Sequence, residues 1–260
     1  MKKEFFAAAM LLAAILSAAA LPVYASPNDD IKDAISQCIK ETDPDTVIRT
    51  CSVVIQSDPK NADGYKYRGI GYADKQDWDR AIENYDTAIQ LKPNDELVLC
   101  NRGYAYKQKG NYDRAIRDFD RAIELNPKYA KAFSDRGSAF RSKGDLDRAI
   151  TDYDRAILLN PSYTVAFVNR GNAWGDKKQG DMAIRDYDRA LKLDPKYALA
   201  FFNRGFTYQQ MCKFDLAIRD FDQGLQLEPN NAQALSNRDL ASRKGGGDQY
   251  MCWLEMNGGK

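Results

Sequence analysis

Apolar residues recur by threes and fours along most of the chain, and that pattern itself repeats. Trp78, Ala81, Ile82, Tyr85, Ala88 and Ile89 mark one face of an amphipathic helix. Tyr65, Gly69 and Tyr72 mark another just before it, and the polar Lys75-Gln76-Asp77 between them reads as a turn, so the two predict a helix hairpin. The whole unit returns at a fixed interval. Pro59, Pro93, Pro127, Pro161, Pro195 and Pro229 are 34 residues apart, as are Arg68-Gly69, Arg102-Gly103, Arg136-Gly137, Arg170-Gly171 and Arg204-Gly205. Such a period is the mark of stacked units, none of which buries its apolar face alone. The proline closes each second helix because it has no N–H to continue the ladder. Asp79, Asp113, Asp147, Asp181 and Asp215 fall at the start of the second helices, where a carboxylate meets unpaired N–H groups and the positive end of the macrodipole.

The unit resembles the tetratricopeptide repeat, a 34-residue helix–turn–helix. Counting from Ala62, the family's small eighth position is Gly69, Gly103, Gly137, Gly171 and Gly205, and its large eleventh is Tyr72, Tyr106, Phe140, Trp174 and Tyr208. The twentieth is Ala81, Ala115, Ala149, Ala183 and Ala217; the twenty-fourth is Tyr85, Phe119, Tyr153, Tyr187 and Phe221; the twenty-seventh is Ala88, Ala122, Ala156, Ala190 and Gly224. Five whole units follow: 62–95, 96–129, 130–163, 164–197 and 198–231. The resemblance implies an all-α, right-handed superhelical solenoid of antiparallel hairpins, with the first helix of each lining a concave face that binds extended peptides. Gly180 departs from the pattern, standing where other units have Trp78, Tyr112, Leu146 and Phe214, so a loosely packed turn is expected there.

The ends are less regular. A degenerate unit, 28–61, puts Cys38 and Cys51 at the eleventh and twenty-fourth positions, which face each other across the hairpin in the family's pattern. We expect a Cys38–Cys51 disulfide in place of an aromatic contact, the alternative being two buried free thiols. Closing that loop contributes roughly 3 kcal/mol in the chain-entropy picture. Residues 232–244, with Leu235 and Leu240, read as a capping helix over the last apolar face. Residues 245–260 are either a flexible tail or a short docking segment. Cys100, Cys212 and Cys252 suggest no pair among themselves, and Cys252 is a candidate for linking two copies.

On the implied concave face, the N-terminal half places Lys66, Asn101, Lys107, Lys131 and Arg141. Lys66, Asn101 and Lys131 match three of the five positions of the family's carboxylate clamp, but Ile70 and Asp135 break it, and an acid there repels a carboxylate. The C-terminal half places Val165, Val168, Asn169, Asn172, Leu199, Phe202, Asn203 and Phe206, an apolar and amide wall suited to an extended backbone. Either binding or packing against the next unit accounts for Val165 and Leu199. The repeated arginines, with Asp120, Asp154, Asp188 and Asp222, recur too regularly for a ligand site and read as bridges between helices.

Composition narrows the function. Positive Lys2 and Lys3 precede an apolar run from Phe5 to Leu21 that ends in small residues at Val23-Tyr24-Ala25, a signal peptide over 1–25, or else a retained signal anchor. Its removal lowers Lys+Arg from 38 to 36 and Asp+Glu from 37 to 36, leaving a formally neutral chain with no electrostatic case for nucleic acid or anionic lipid. There is no histidine, hence none of the commonest general base or metal ligand. No nucleophile with a base, phosphate loop or metal set stands out, so neither enzyme activity, metal nor cofactor is expected. The sequence therefore points to an exported, periplasmic or secreted adaptor for a protein or extended peptide. A second reading is a scaffold that assembles with itself through its ends and tail.

Overall fold

A computed structural model describes residues 35–245. The expected signal peptide, the start of the degenerate unit and the tail after Gly245 lie outside the described residues. Among those described, thirteen helices follow one another without a strand. They are α1 (35–40), α2 (Pro44–Ser57), α3 (Ala62–Asp74), α4 (Trp78–Leu91), α5 (Glu96–Gln108), α6 (Tyr112–Leu125), α7 (Ala130–Ser142), α8 (Leu146–Leu159), α9 (Thr164–Asp176), α10 (Gly180–Leu193), α11 (Ala198–Gln210), α12 (Phe214–Leu227) and α13 (Ala232–Gly245). From α2 to α13 consecutive helices pack on one another. From α3, each odd-numbered helix also touches the next odd-numbered one, and the even-numbered helices make no comparable contact. The stack of hairpins therefore curls with the odd helices inside.

Each hairpin closes on a ring set against a glycine. A Cβ on Gly103, Gly137 or Gly171 would fall 2.8, 2.9 or 2.7 Å from the ring of Phe119, Tyr153 or Tyr187, so only glycine lets the two helices approach that closely. The rings of the eleventh position instead lie under arginines, with Arg80 4.6 Å from Tyr72 and Arg148 4.3 Å from Phe140. The eleventh- and twenty-fourth-position rings share one core cluster in these hairpins, Phe140 with Tyr153 and Tyr72 with Tyr85. In the N-terminal unit α1 and α2 are joined by the Cys38–Cys51 disulfide, with α-carbons 4.9 Å apart.

The recurring arginines tie three helices together. Arg136 on α7 donates from Nε and Nη2 to Asp152 on α8, at 2.8 and 2.7 Å, and from Nη1 to Asp120 on α6 at 2.6 Å. Arg102, Arg170 and Arg204 repeat the arrangement with Asp118 and Asp86, Asp186 and Asp154, and Asp220 and Asp188. The inner carboxylates, Asp118, Asp152, Asp186 and Asp220, are buried and take the two-pronged contact; sequence reasoning identified only the outer ones.

Several expectations are corrected by the packing. The caps of α4, α6 and α8 are Asp77, Asn111 and Asp145, each accepting a backbone N–H three residues on. Asp79, Asp113 and Asp147 sit in the first turn, near the positive end of the helix, and pair across the joint with Lys109, Lys143 and Lys177. Lys75 reaches Asp45 in the same way. Gly180 is covered by Met211, whose sulfur would be 2.6 Å from a Cβ there, and a recess of about 490 Å³ remains beside it. The capping helix α13 covers the last hairpin with Ala234 and Ala241, leaving Leu235 and Leu240 exposed.

Position fifteen of every full unit is left-handed: Gln76, Gly110, Gly144, Lys178 and Cys212 have φ of 59°, 75°, 83°, 62° and 58°. Lys178→Gly is expected to stabilise the fold by about 0.5–1 kcal/mol in urea unfolding, as a side chain is unfavourable there and the glycines of two sister turns meet no crowding. At the last hairpin glycine is required for a second reason: a Cβ on Gly224 would fall 2.2 Å from the ring of Phe202. Gly224→Ala should lower stability by about 1–3 kcal/mol, and adding Phe202→Val, which restores the Val168 and Ala190 pairing of the preceding unit, should recover most of it. Asp152→Ala should destabilise by about 3 kcal/mol because Arg136 loses its buried partner, whereas Asp120→Ala, at a half-exposed carboxylate, should cost about 1 kcal/mol or less.

Candidate peptide groove

The odd helices line the concave face and divide it into two recesses. The N-terminal one, about 820 Å³, lies between α3, α5 and α7 and is lined by Ile70, Trp78, Asn101, Tyr104, Gln108 and Lys131 among others. Its character is aromatic. Trp78 and Tyr104 meet edge to face with ring centres 6.0 Å apart, and the ammonium groups of Lys107 and Lys131 stand 4.6 and 5.6 Å from the Tyr104 ring.

The cations named for this half are engaged by the protein itself. Lys66 pairs with Asp63 at 2.5 Å and reaches Asp95 at 3.6 Å, and it does not line the recess. Burial disfavours the charge on Lys131, but Asp135 at 2.8 Å outweighs it and holds the pKa above the ordinary lysine value. Lys107 is shifted the other way, its pKa lowered chiefly by burial. Cys100 lies beneath this wall, a free thiol that burial pushes up to about 12 and so keeps unreactive at neutral pH.

The C-terminal recess, about 390 Å³, lies between α9 and α11 and reaches Arg141 on α7. Here the structure brings together Asn172, Asn203 and Phe206. Asn203 Nδ2 donates to Asn172 Oδ1 at 2.9 Å, and Tyr187 Oη donates to the same oxygen at 2.8 Å. With its oxygen taken twice, Asn172 presents N–H donors to an occupant, and Asn203 presents its carbonyl. Arg141 Nε donates to Asp176 Oδ2 at 2.6 Å along the rim. Phe206 projects a largely open ring, 46% exposed. Beyond it, Leu199, Phe206, Gln233 and Asn237 line a further recess of about 420 Å³ against α13.

Two residues named for the groove turn inward, and a third stands aside. Val168 is 1% exposed and Phe202 8%, because the fifth position packs against the twenty-seventh, on the second helix of its own hairpin, and Phe202 keeps only an edge on the recess against α13. Asn169 does not line the recess. Gly224 was the available signal: alanine fills that position in every other full unit, so its loss marks the room made for Phe202. Tyr104 was missed although it holds the same register as Asn172 and Phe206.

Two tetratricopeptide repeat models match the chain, one at residues 97–129, 130–163 and 198–231, the other at 71–110 and 176–211, together more than half its length. No curated protein sequence matches it. Among solved structures, the hetero-tetramer Cut9–Hcn1 of the APC/C is similar at a TM-score of 0.71 and 22% identity over 82% of this chain, which spans only 42% of that one. MamA is 27% identical, with a TM-score of 0.55, over 64% of this chain and 96% of its own. YrrB, a repeat protein with an unusual peptide-binding site, is 22% identical with a TM-score of 0.54, over 73% of this chain and 97% of its own. Proteins built from this repeat are typically scaffolds for binding other proteins or peptides. With its hairpins, glycine–ring contacts and matched repeats in register, the chain belongs to the tetratricopeptide-repeat family.

Proposed function

We propose that this chain is a non-catalytic adaptor of an exported, periplasmic or secreted compartment that holds an extended segment of another polypeptide in its concave groove. The observation that carries the reading is the pair Asn172 and Asn203. An N–H donor and a carbonyl acceptor side by side match the alternating groups of an extended backbone, so they grip a main chain without reading its sequence. Phe206, exposed beside them, supplies an apolar anchor of the kind that dominates interface energetics. The aromatic recess around Trp78 and Tyr104 adds a second anchoring point along the same groove. Export is supported by the N-terminal basic and apolar pattern, by the small residues that end at Ala25, and by a disulfide that persists in oxidising surroundings. Peptide binding by YrrB, a solenoid of similar build, is consistent with this use of the groove.

A photoreactive amino acid at Phe206 should capture a polypeptide other than this chain in the native host, and one at Arg185, exposed on α10 away from the groove, should not. With the captured partner purified, Asn203→Ala should weaken binding roughly five- to tenfold, as the loss of one hydrogen-bonding group in a groove predicts, without moving the thermal midpoint by more than a degree or two. Equal capture at both positions, or adducts only between copies of this chain, would replace the adaptor with a self-assembling scaffold. Retention of the N-terminal 25 residues on the mature protein would remove the case for a cleaved signal peptide.

A further inference from the structure

Three second helices carry a tyrosine against the glycine of their hairpin: Tyr85, Tyr153 and Tyr187. Two of the hydroxyls are satisfied by the ninth residue of their own unit, Tyr153 Oη donating to Ser138 Oγ at 3.2 Å and Tyr187 Oη to Asn172 Oδ1 at 2.8 Å. In the first full unit the ninth residue is Ile70, which has no polar atom to offer, and the Tyr85 hydroxyl has no hydrogen-bond partner among the described residues. Tyr85 is nonetheless only 1% exposed. Among the described residues the side-chain polar atom that is both unpaired and sealed from solvent is Gln209 Oε1, so Oη of Tyr85 keeps an opening. That opening is the N-terminal recess, which Tyr85 and Ile70 line together. Burial raises the pKa of the phenol, so it stays protonated and able both to donate and to accept.

The walls of the recess limit what can reach this hydroxyl. Trp78 and Tyr104 meet at 68° and form an aromatic corner, and Asn101 lines the same recess with an amide that has no partner among the described residues. A cation is disfavoured because the ammonium groups of Lys107 and Lys131 already lie over the Tyr104 ring, and an anion is disfavoured by Asp74 at the edge. A wholly apolar group would cover the Tyr85 hydroxyl without pairing it and forfeit much of what the contact gains. A flat ring with a hydrogen-bonding atom at its rim meets every one of these conditions.

We propose that the N-terminal recess is a pocket for a tyrosine or tryptophan side chain of the held segment, its ring against Trp78 and Tyr104 and its hydroxyl or indole N–H paired with Tyr85 Oη. The inference rests on the reading of the groove as a site for an extended polypeptide, and it adds selectivity to that site. Asn172 and Asn203 grip a main chain whatever its sequence, whereas Tyr85 selects one residue of it. Phenylalanine fits the same walls but leaves the hydroxyl unpaired, and a site built to hydrogen-bond a group rejects the analogue that lacks it.

The test begins with a display library of random peptides selected on the full chain, the recovered peptides then being labelled with fluorescein and titrated by anisotropy. They should share a tyrosine or tryptophan at one position, and replacing that residue by phenylalanine should weaken binding roughly tenfold. On Tyr85→Phe the same replacement should cost no more than about twofold. The thermal midpoint of that variant should be unchanged, because Phe119 and Phe221 hold the same position in sister units. Asn203→Ala should weaken every recovered peptide and leave the preference intact. Peptides that respond to Asn203→Ala but share no aromatic position, or that lose equally with phenylalanine on both proteins, overturn the pocket and leave the groove standing. A library that yields no binder removes both. A soluble oligosaccharide whose binding on a glycan array falls with Tyr85→Phe would assign the recess to a sugar and also overturn the proposal.

Discussion

The inner joints of this solenoid depend on a guanidinium that binds three helices. A hairpin of two amphipathic helices can slide or swivel on its neighbour, because apolar contact has no direction. The planar fork of Arg102, Arg136, Arg170 or Arg204 removes that freedom by taking two oxygens of a buried aspartate on its own hairpin and one on the hairpin before. The glycine beside each arginine sets how close the two helices of a hairpin come, and the arginine sets how hairpin follows hairpin. Where the series runs out its chemistry softens: Arg68 meets Asn84 and Ser52, and Arg238 reaches Asp222 with a half-exposed side chain.

Most of the architecture was legible because one unit is written five times. Periodicity exposes what every repeat shares, such as the glycine, the rings and the arginine. It hides what is paired within one repeat. The buried aspartates went unnoticed beside their outer neighbours because both series recur at the same interval, and only the fork of the guanidinium distinguishes them. The groove was legible as a register and less so as a surface. Reading outward from the register reached Asn172, Asn203 and Phe206, which line one recess, and gave Phe202 wholly to the surface because a large ring was not weighed against the missing methyl of Gly224 on the facing helix. Met211 and Gly180 form the same kind of exchange across a joint, invisible to any reading that takes one unit at a time.

The two halves of the concave face differ in how they treat charge. Toward the N terminus Lys66 and Lys131 are matched by acids of the same wall and Lys107 lies over the Tyr104 ring, so aromatic surface is much of what is offered. Toward the C terminus neutral amides face the groove, and the charges of Arg141 and Asp176 satisfy each other at the rim.

Met211 has one more effect. In the four preceding turns the equivalent residue is a lysine that crosses to an aspartate of the earlier hairpin, and at Met211 that strut is missing opposite Asp181. The same joint has Gln179 and Lys213 at the starts of α10 and α12, neither of which caps its helix through a side chain. A superhelix is a spring, and its compliance gathers in the coil with the fewest cross-members. The joint between α9 and α11 keeps the Arg204 fork but lacks the lysine strut, so more of the load across it falls on the hydrogen bond between Asn203 and Asn172 at the groove.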